Sequence, residues 1–210
     1  MQTDSAGGSR ARMIEAAIDL MRGAGLTGAG INEIVRASGA PKGSVYHFFP
    51  DGKLQIVAEA LAVYSQRVQA FMEQSLARGR TPAEKVRELF DAFARRVEET
   101  QFRRSCAVGA ISLDLDADLE ALRTVLAAAF AEWIALIARH VDCGEARRTK
   151  SFASLVLTAI EGAHVRCRAE RSSAPFRETG AWLAELADAP PTPARGRRTS
   201  GMGSRKTARR

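Results

Sequence analysis

Cysteine is scarce in this chain: its 210 residues hold three, Cys106, Cys143 and Cys167. None forms a C-x-x-C pair, and His47, His140 and His164 stand at no metal-ligand spacing from them. A disulfide framework and a zinc site are therefore both unexpected, and reduced thiols in a cytoplasmic protein are the expectation. Cys106 is kept as a candidate for redox sensing. No run approaches the ~20 apolar residues of a membrane span, and the start, MQTDSAGGSR, lacks the apolar region of a signal peptide. No nucleophile, base and orienting group stand together in a recognisable motif, which argues against an enzyme. Gly23-Ala24-Gly25-Leu26-Thr27-Gly28 matches G-x-G-x-x-G literally, but it follows a helical pattern where a dinucleotide site needs a strand. Gly39-Ala40-Pro41-Lys42-Gly43-Ser44 has the wrong spacing for a phosphate-binding Walker loop. No cofactor, metal or membrane partner is expected.

Acidic residues are absent from Thr192 onward, where Arg195, Arg197, Arg198, Arg205, Lys206, Arg209 and Arg210 accumulate. Removing those seven from the 31 Lys and Arg leaves as many bases as there are acids, 24. The net charge of +7 thus belongs to a disordered basic tail, and the folded part is near neutral.

The 46% hydrophobic content supports a core, and its spacing is helical almost throughout. Ile14, Ala17, Ile18 and Met21 form the stripe of a first helix from about Ser9, a plausible cap, to Gly23, after a flexible leader over residues 1–8. From Ile31 to Lys53 two short helices fold over Ser38-Gly39-Ala40-Pro41. Gly39 suits a left-handed helix end and Pro41 the first turn of the next helix, which together make a helix-turn-helix. Ile34, Val35, Val45, Phe48 and Phe49 give each helix an apolar side, and Lys42, Ser44, Tyr46 and His47 lie outside it. Such side chains contact phosphates and base edges.

The block from Arg10 to Leu61 resembles the amino-terminal domain of TetR-type transcriptional regulators. The positions that carry the resemblance are Ile14-Glu15-Ala16-Ala17, the run Gly39 to Phe49, and Lys53. The run GINEIVRASGAPKGSVYHFFPDGK is most similar to the LmrA/YxaF-like branch, which also places a glycine between the aromatic pair and the lysine. Arg104-Ser105-Cys106-Ala107-Val108-Gly109-Ala110 is a second short likeness to that branch. Gly30 departs from the threonine or serine with which much of the wider family caps the second helix.

Helices are further predicted from about Lys53 to Ala77, from Pro82 to about Thr100 behind the Thr81-Pro82-Ala83-Glu84 start signal, over a short sixth segment, from Asp116-Ala117-Asp118 to Cys143-Gly144, from Ala146 to Arg171 and from Pro175 to Ala187. Ile111, Leu113 and Leu115 alternate as in a strand, but nothing is present to pair with them. The fold class is all-α with about nine helices: an N-terminal three-helix helix-turn-helix head over 1–52, a larger helical ligand-binding and dimerisation body over 53–189, and a disordered basic tail over 190–210.

The resemblance implies a sequence-specific, homodimeric repressor on double-stranded DNA, released from a palindromic operator by an unknown small-molecule effector. DNA contacts are assigned to Lys42, Gly43, Ser44, Tyr46, His47 and Lys53. Pocket candidates are Phe71, Phe90, Phe93, Phe130 and Trp133. Interface candidates are Leu155, Ile160, Trp182 and Leu186. The alternative is a nonspecific DNA-binding protein acting through its basic tail, by counterion release alone.

Overall fold

The computed structural model describes residues 3–116 and 119–188, with side chains from Gly8 onward. Its elements are α1 (Thr3–Gly28, kinked where Ala24 and Gly25 leave helical conformation, at the glycine turn read from the sequence), α2 (Ile31–Ser38), a 3₁₀ turn (Lys42–Ser44), α3 (Val45–Phe48), α4 (Lys53–Leu76), α5 (Pro82–Glu99), α6 (Ala107–Ser112), α7 (Glu120–His140), α8 (Ala146–Glu170) and α9 (Ala174–Asp188). No strand occurs among the described residues, and the chain is all-α. Ile111 falls in α6 and Leu113 in the turn after it.

Helix boundaries follow local chemistry. At the start of α5 the Thr81 hydroxyl accepts from the Glu84 amide at 3.2 Å while the Glu84 carboxylate accepts from the Thr81 amide at 3.2 Å. This reciprocal capping box, with Pro82 just inside, satisfies donors that a helix start leaves open. Gly39 ends α2 at φ +62, the left-handed conformation that a glycine adopts without a Cβ clash.

Two expectations need correction. α1 starts at Thr3, so the expected leader is largely helical and Ser9 lies inside the helix, its hydroxyl accepting from Arg12 at 2.9 Å instead of capping. α7 starts at Glu120; Ala117 and Asp118, part of the start read from the sequence, lie outside the described residues, as does the tail from residue 189. α7 is, by length and composition, apolar enough to cross a membrane, but its large apolar residues Leu122, Leu126, Trp133, Leu136 and Ile137 are buried, where α7 packs on α4 and α8, and Ala121, Ala127, Ala128, Ala131 and Ala135 face outward.

One continuous core joins the elements. α4 leaves the helix-turn-helix and runs into the body, where Trp133 of α7 donates its indole N–H to Ser65 at 3.1 Å. α5 packs most extensively on α9, where Gly180 lets the helix close on the Phe90 side chain. The end of α1 is clamped to the body at four points. The Leu26 amide donates to Asp114 at 2.7 Å, the Ser105 amide to the Arg22 carbonyl at 2.9 Å, Arg22 to the Ser105 carbonyl at 3.2 Å, and Arg168 of α8 to the Gly23 carbonyl at 2.7 Å.

Candidate nucleic-acid interface and effector cavity

The segment Lys42–Phe48 is a single 3₁₀-to-α run held from beneath. Val45 and Phe49 are completely buried, and Arg10 lies over the Phe49 ring, 5.0 Å from its centroid. Arg12 donates to the Ser38 carbonyl at 3.1 Å and so fixes the end of α2 against α1. With its apolar side anchored, the run turns Lys42, Gly43, Tyr46 and His47 outward, Tyr46 being 63% exposed. Ser44 and Lys53 are half-buried, Lys53 at the amino end of α4. Gly52, at φ +66 and ψ −136, makes the bend into α4, and a methyl there would sit 3.5 Å from the Tyr46 ring. The bend sets the entry angle of α4 and lies beside the Tyr46 ring.

A second region lies in the body. A groove of about 600 Å³ opens between α6 and α8, lined by Gly109, Ala110, Leu113, Phe130, Gly162 and Val165 among others. Glu161 forms part of its wall and also part of the wall of an inner cavity of only about 10 Å³, shared with Tyr64, Phe93, Trp133 and His164. That inner space is too small for more than a water molecule. The Glu161 carboxylate rests on the bare Cα of Gly109 and takes a hydrogen bond from the Cys106 thiol. Burial raises its pKa to about 7, the Cys106 contact working the other way. Burial likewise pushes the Cys106 thiol well up, reinforced by the charge of Glu161. A thiol so placed holds its proton and is a poor nucleophile toward oxidants.

A third region is an uncovered apolar face. Leu155 and Val165 of α8, and Trp182 and Leu186 of α9, are exposed on the protomer, Trp182 at 70%.

The chain was compared with known proteins. Residues 13–60 match the model of bacterial regulatory proteins of the tetR family, and residues 82–181 match that of the LmrA/YxaF-like transcriptional regulator C-terminal domain. The HTH-type transcriptional regulator YxaF of Bacillus subtilis (strain 168) is 32% identical over 160 residues, covering 75% of this chain and 84% of YxaF. This chain belongs to the TetR family of transcriptional regulators, in its LmrA/YxaF branch. As a TetR-family member it is a DNA-binding transcriptional regulator. Solved TetR structures share its fold. The regulatory protein TetR of Rhodobacter sphaeroides superimposes with a TM-score of 0.76 at 20% identity, over 84% of this chain and 97% of that one. A cysteine mutant of the TetR-family regulator CifR, complexed with 26-base-pair operator DNA, does so with a TM-score of 0.73 at 21% identity, over 83% and 94%.

Within this TetR-family chain the sequence-derived pocket candidates scatter. Phe130 lines the large groove, whereas Phe93 and Trp133 border only the inner cavity. Phe71 stacks edge-on against Phe93 at 4.9 Å and carries Arg96 over its ring at 4.7 Å, facing a separate polar surface groove. Phe90 is buried against Phe176 and Gly180 at the α5–α9 seam. Of the interface candidates, Leu155, Trp182 and Leu186 are exposed, but Ile160 is 2% exposed and points into the core, so no second chain can reach it. Glu161 was missed. The signal was present: Leu157, Ile160, Glu161 and His164 follow i, i+3, i+4, i+7 spacing, which puts an acid on the core-facing stripe of α8.

Proposed function

We propose that the chain is a homodimeric repressor, divided into a DNA-reading head (residues 1–52) and a ligand-binding, dimer-forming body (53–189), and released from a palindromic operator by a small effector. It acts in the cytoplasm, on double-stranded DNA. Lys42 and Ser44 read base edges in the major groove. Tyr46 and His47 donate to phosphates, Lys53 adds a phosphate contact at the start of α4, and Gly43 lets the backbone come close. One such segment reads only a few base pairs, so specificity requires two, set ~34–36 Å or more apart by a twofold axis.

The observation that carries the dimer is the apolar face of α8 and α9, where Leu155, Val165, Trp182 and Leu186 lie uncovered in one protomer. Large exposed aromatic and aliphatic side chains on neighbouring helices are what a self-complementary interface buries. The groove between α6 and α8 supports ligand control, because its walls are the elements that clamp α1. An occupant that shifts α6 or α8 strains the Asp114–Leu26 and Arg168–Gly23 bonds, and so moves the head. It acts as an inducer only by binding the DNA-incompetent arrangement more tightly.

The test is competitor-resistant binding of the chain, truncated after Pro191, to DNA from around its own coding region. A protected inverted repeat, lost on Tyr46→Ala, supports the proposal. Binding that survives only with residues 192–210 attached, and shows no sequence preference, points instead to the basic tail.

A further inference from the structure

The groove between α6 and α8 is apolar on nearly every side, and its volume of about 600 Å³ lies in the ~300–1,000 Å³ range of small-molecule sites. Its acidic group is Glu161, and the surroundings of that carboxylate are unusual in one respect: no base is set against it. From α6 it meets the Cys106 thiol and the Gly109 Cα. From α4 the neighbouring ionisable group is Tyr64, a buried phenol. On its own helix stands His164, buried and neutral, with Nδ1 lacking any hydrogen-bond partner. Arg168 of α8 also lines the groove, but it is exposed to solvent and its guanidinium is bonded to the Gly23 carbonyl, not to Glu161; Arg22 lies over the Tyr64 ring at 5.9 Å and on the Ser105 carbonyl. Among the described residues no salt bridge reaches Glu161.

A carboxyl group walled in largely by apolar side chains, with its remaining access through the groove, is poorly solvated and has no countercharge bonded to it. We infer that the effector of this regulator is an organic cation: an apolar, ring-bearing body that fills the groove, and one positively charged nitrogen set against Glu161. The inference rests on the reading of the body as an effector-binding domain. It adds the chemical class of the ligand and the residue that selects it. An anionic ligand of similar shape would bring a second negative charge to the Glu161 wall, and an uncharged one would leave the carboxylate as it is. Binding of a cation also makes a linkage. The charged form of Glu161 is the one that pairs, and its pKa of about 7 means that half the carboxyl groups must lose a proton near neutrality. Tyr64, Cys106 and His164 do not titrate between pH 6 and 8 in the folded chain, the first two pushed well up and the last down to about 3.

The experiment is calorimetric titration of the full-length chain, free of DNA, with a panel of flat permanent cations, berberine among them, each beside an uncharged ring-matched analogue such as oxoberberine. The expected result is binding of at least one cation with a tenfold or larger preference over its uncharged analogue. Its affinity should rise about tenfold from pH 6 to 8, with proton release, as the fraction of ionised Glu161 rises through its pKa. Glu161→Gln should lose both the preference and the pH dependence. Gly109→Ala, whose methyl takes the seat of the carboxylate without changing any charge, should weaken the same ligand tenfold and serves as the second variant. Equal binding of charged and uncharged analogues, retention of the preference in Glu161→Gln, or binding of anions alone overturns the proposal. So does a wild-type chain that binds operator DNA but no member of the panel. Operator binding measured beforehand separates that outcome from failure of the repressor reading itself.

Discussion

Glu161 and His164 stand one turn apart on α8 and bend the pH dependence of stability in opposite directions. The His164 ring is pushed down from 6.5 to about 3, first by burial and then by Arg22 and Arg96. The unfolded chain binds that proton and the folded chain does not, so stability falls as pH drops from about 6.5 toward 3. Glu161 is raised from 4.5 to about 7, so the folded chain keeps a proton that the unfolded chain releases, and stability falls as pH rises through that window. Between pH 4.5 and 6.5 the two slopes cancel; His164 governs the acid side and Glu161 the neutral side. Urea denaturation across pH 4 to 8 should therefore show a plateau with a shoulder at each end. Glu161→Gln should remove the loss above pH 6.5 and exceed the wild type at pH 8 by about 1–3 kcal/mol. His164→Phe should flatten the acid limb. At the DNA face, Tyr46→Ala should leave the melting temperature near the wild-type value, since the ring is mostly exposed. It should weaken binding to all sequences by roughly tenfold or more, the scale of one hydrogen bond to a charged phosphate. The outward side chains of this face were legible because helical spacing separates them from Val45 and Phe49. The pocket was not, because an aromatic at helical spacing looks the same whether it fills a core, as Phe90 does, or walls a groove, as Phe130 does.

At the scale of elements, the bonds that close each helix end are local where the sequence shows them and long-range where it does not. The Thr81–Glu84 box is written in four consecutive residues. Thr81→Ala should cost about 1 kcal/mol, read as a lower thermal midpoint with α4 and the head unaffected. The clamp on α1 is of the other kind. Asp114 lies 88 positions from Leu26, and no periodicity joins them. Asp114→Ala leaves the Leu26 amide unpaired and should cost about 1–3 kcal/mol. Hydrogen exchange should quicken around Leu26 and at α6 together, because one bond holds both; faster exchange at α6 alone would show that the clamp does not couple head to body. The extension of α1 back to Thr3 and the first turn of α7 were misread for a related reason: a residue such as Ser9 or Asp116 has the chemistry of a cap whether or not the chain breaks there.

The whole molecule presents a reading surface at one end of its sequence and an apolar face at the other, and the proposed function needs both. If the chain pairs as proposed, Trp182→Glu should convert that dimer to monomer in sedimentation experiments, with a loss of at least ~2 kcal/mol in self-association. Operator binding should fall with it, since each head alone reads too few base pairs. A variant that remained dimeric would move the interface off α9. The all-α class and the helix order were readable from periodicity and one motif-bearing stretch. The face itself was only partly readable, because Leu155 and Ile160 differ in exposure while sharing composition and helix.

The recognition run also separates two kinds of position that are usually entangled. Val45 and Phe49 hold it in place and are wholly buried, while Lys42, Gly43, Tyr46 and His47 face outward. The letters that hold the run in place and the letters turned outward alternate along eight residues without coinciding. A gene duplicate of such a regulator is free to drift toward a new target by single substitutions, each leaving the scaffold's stability intact, and its descendants can diverge in address while remaining alike in architecture.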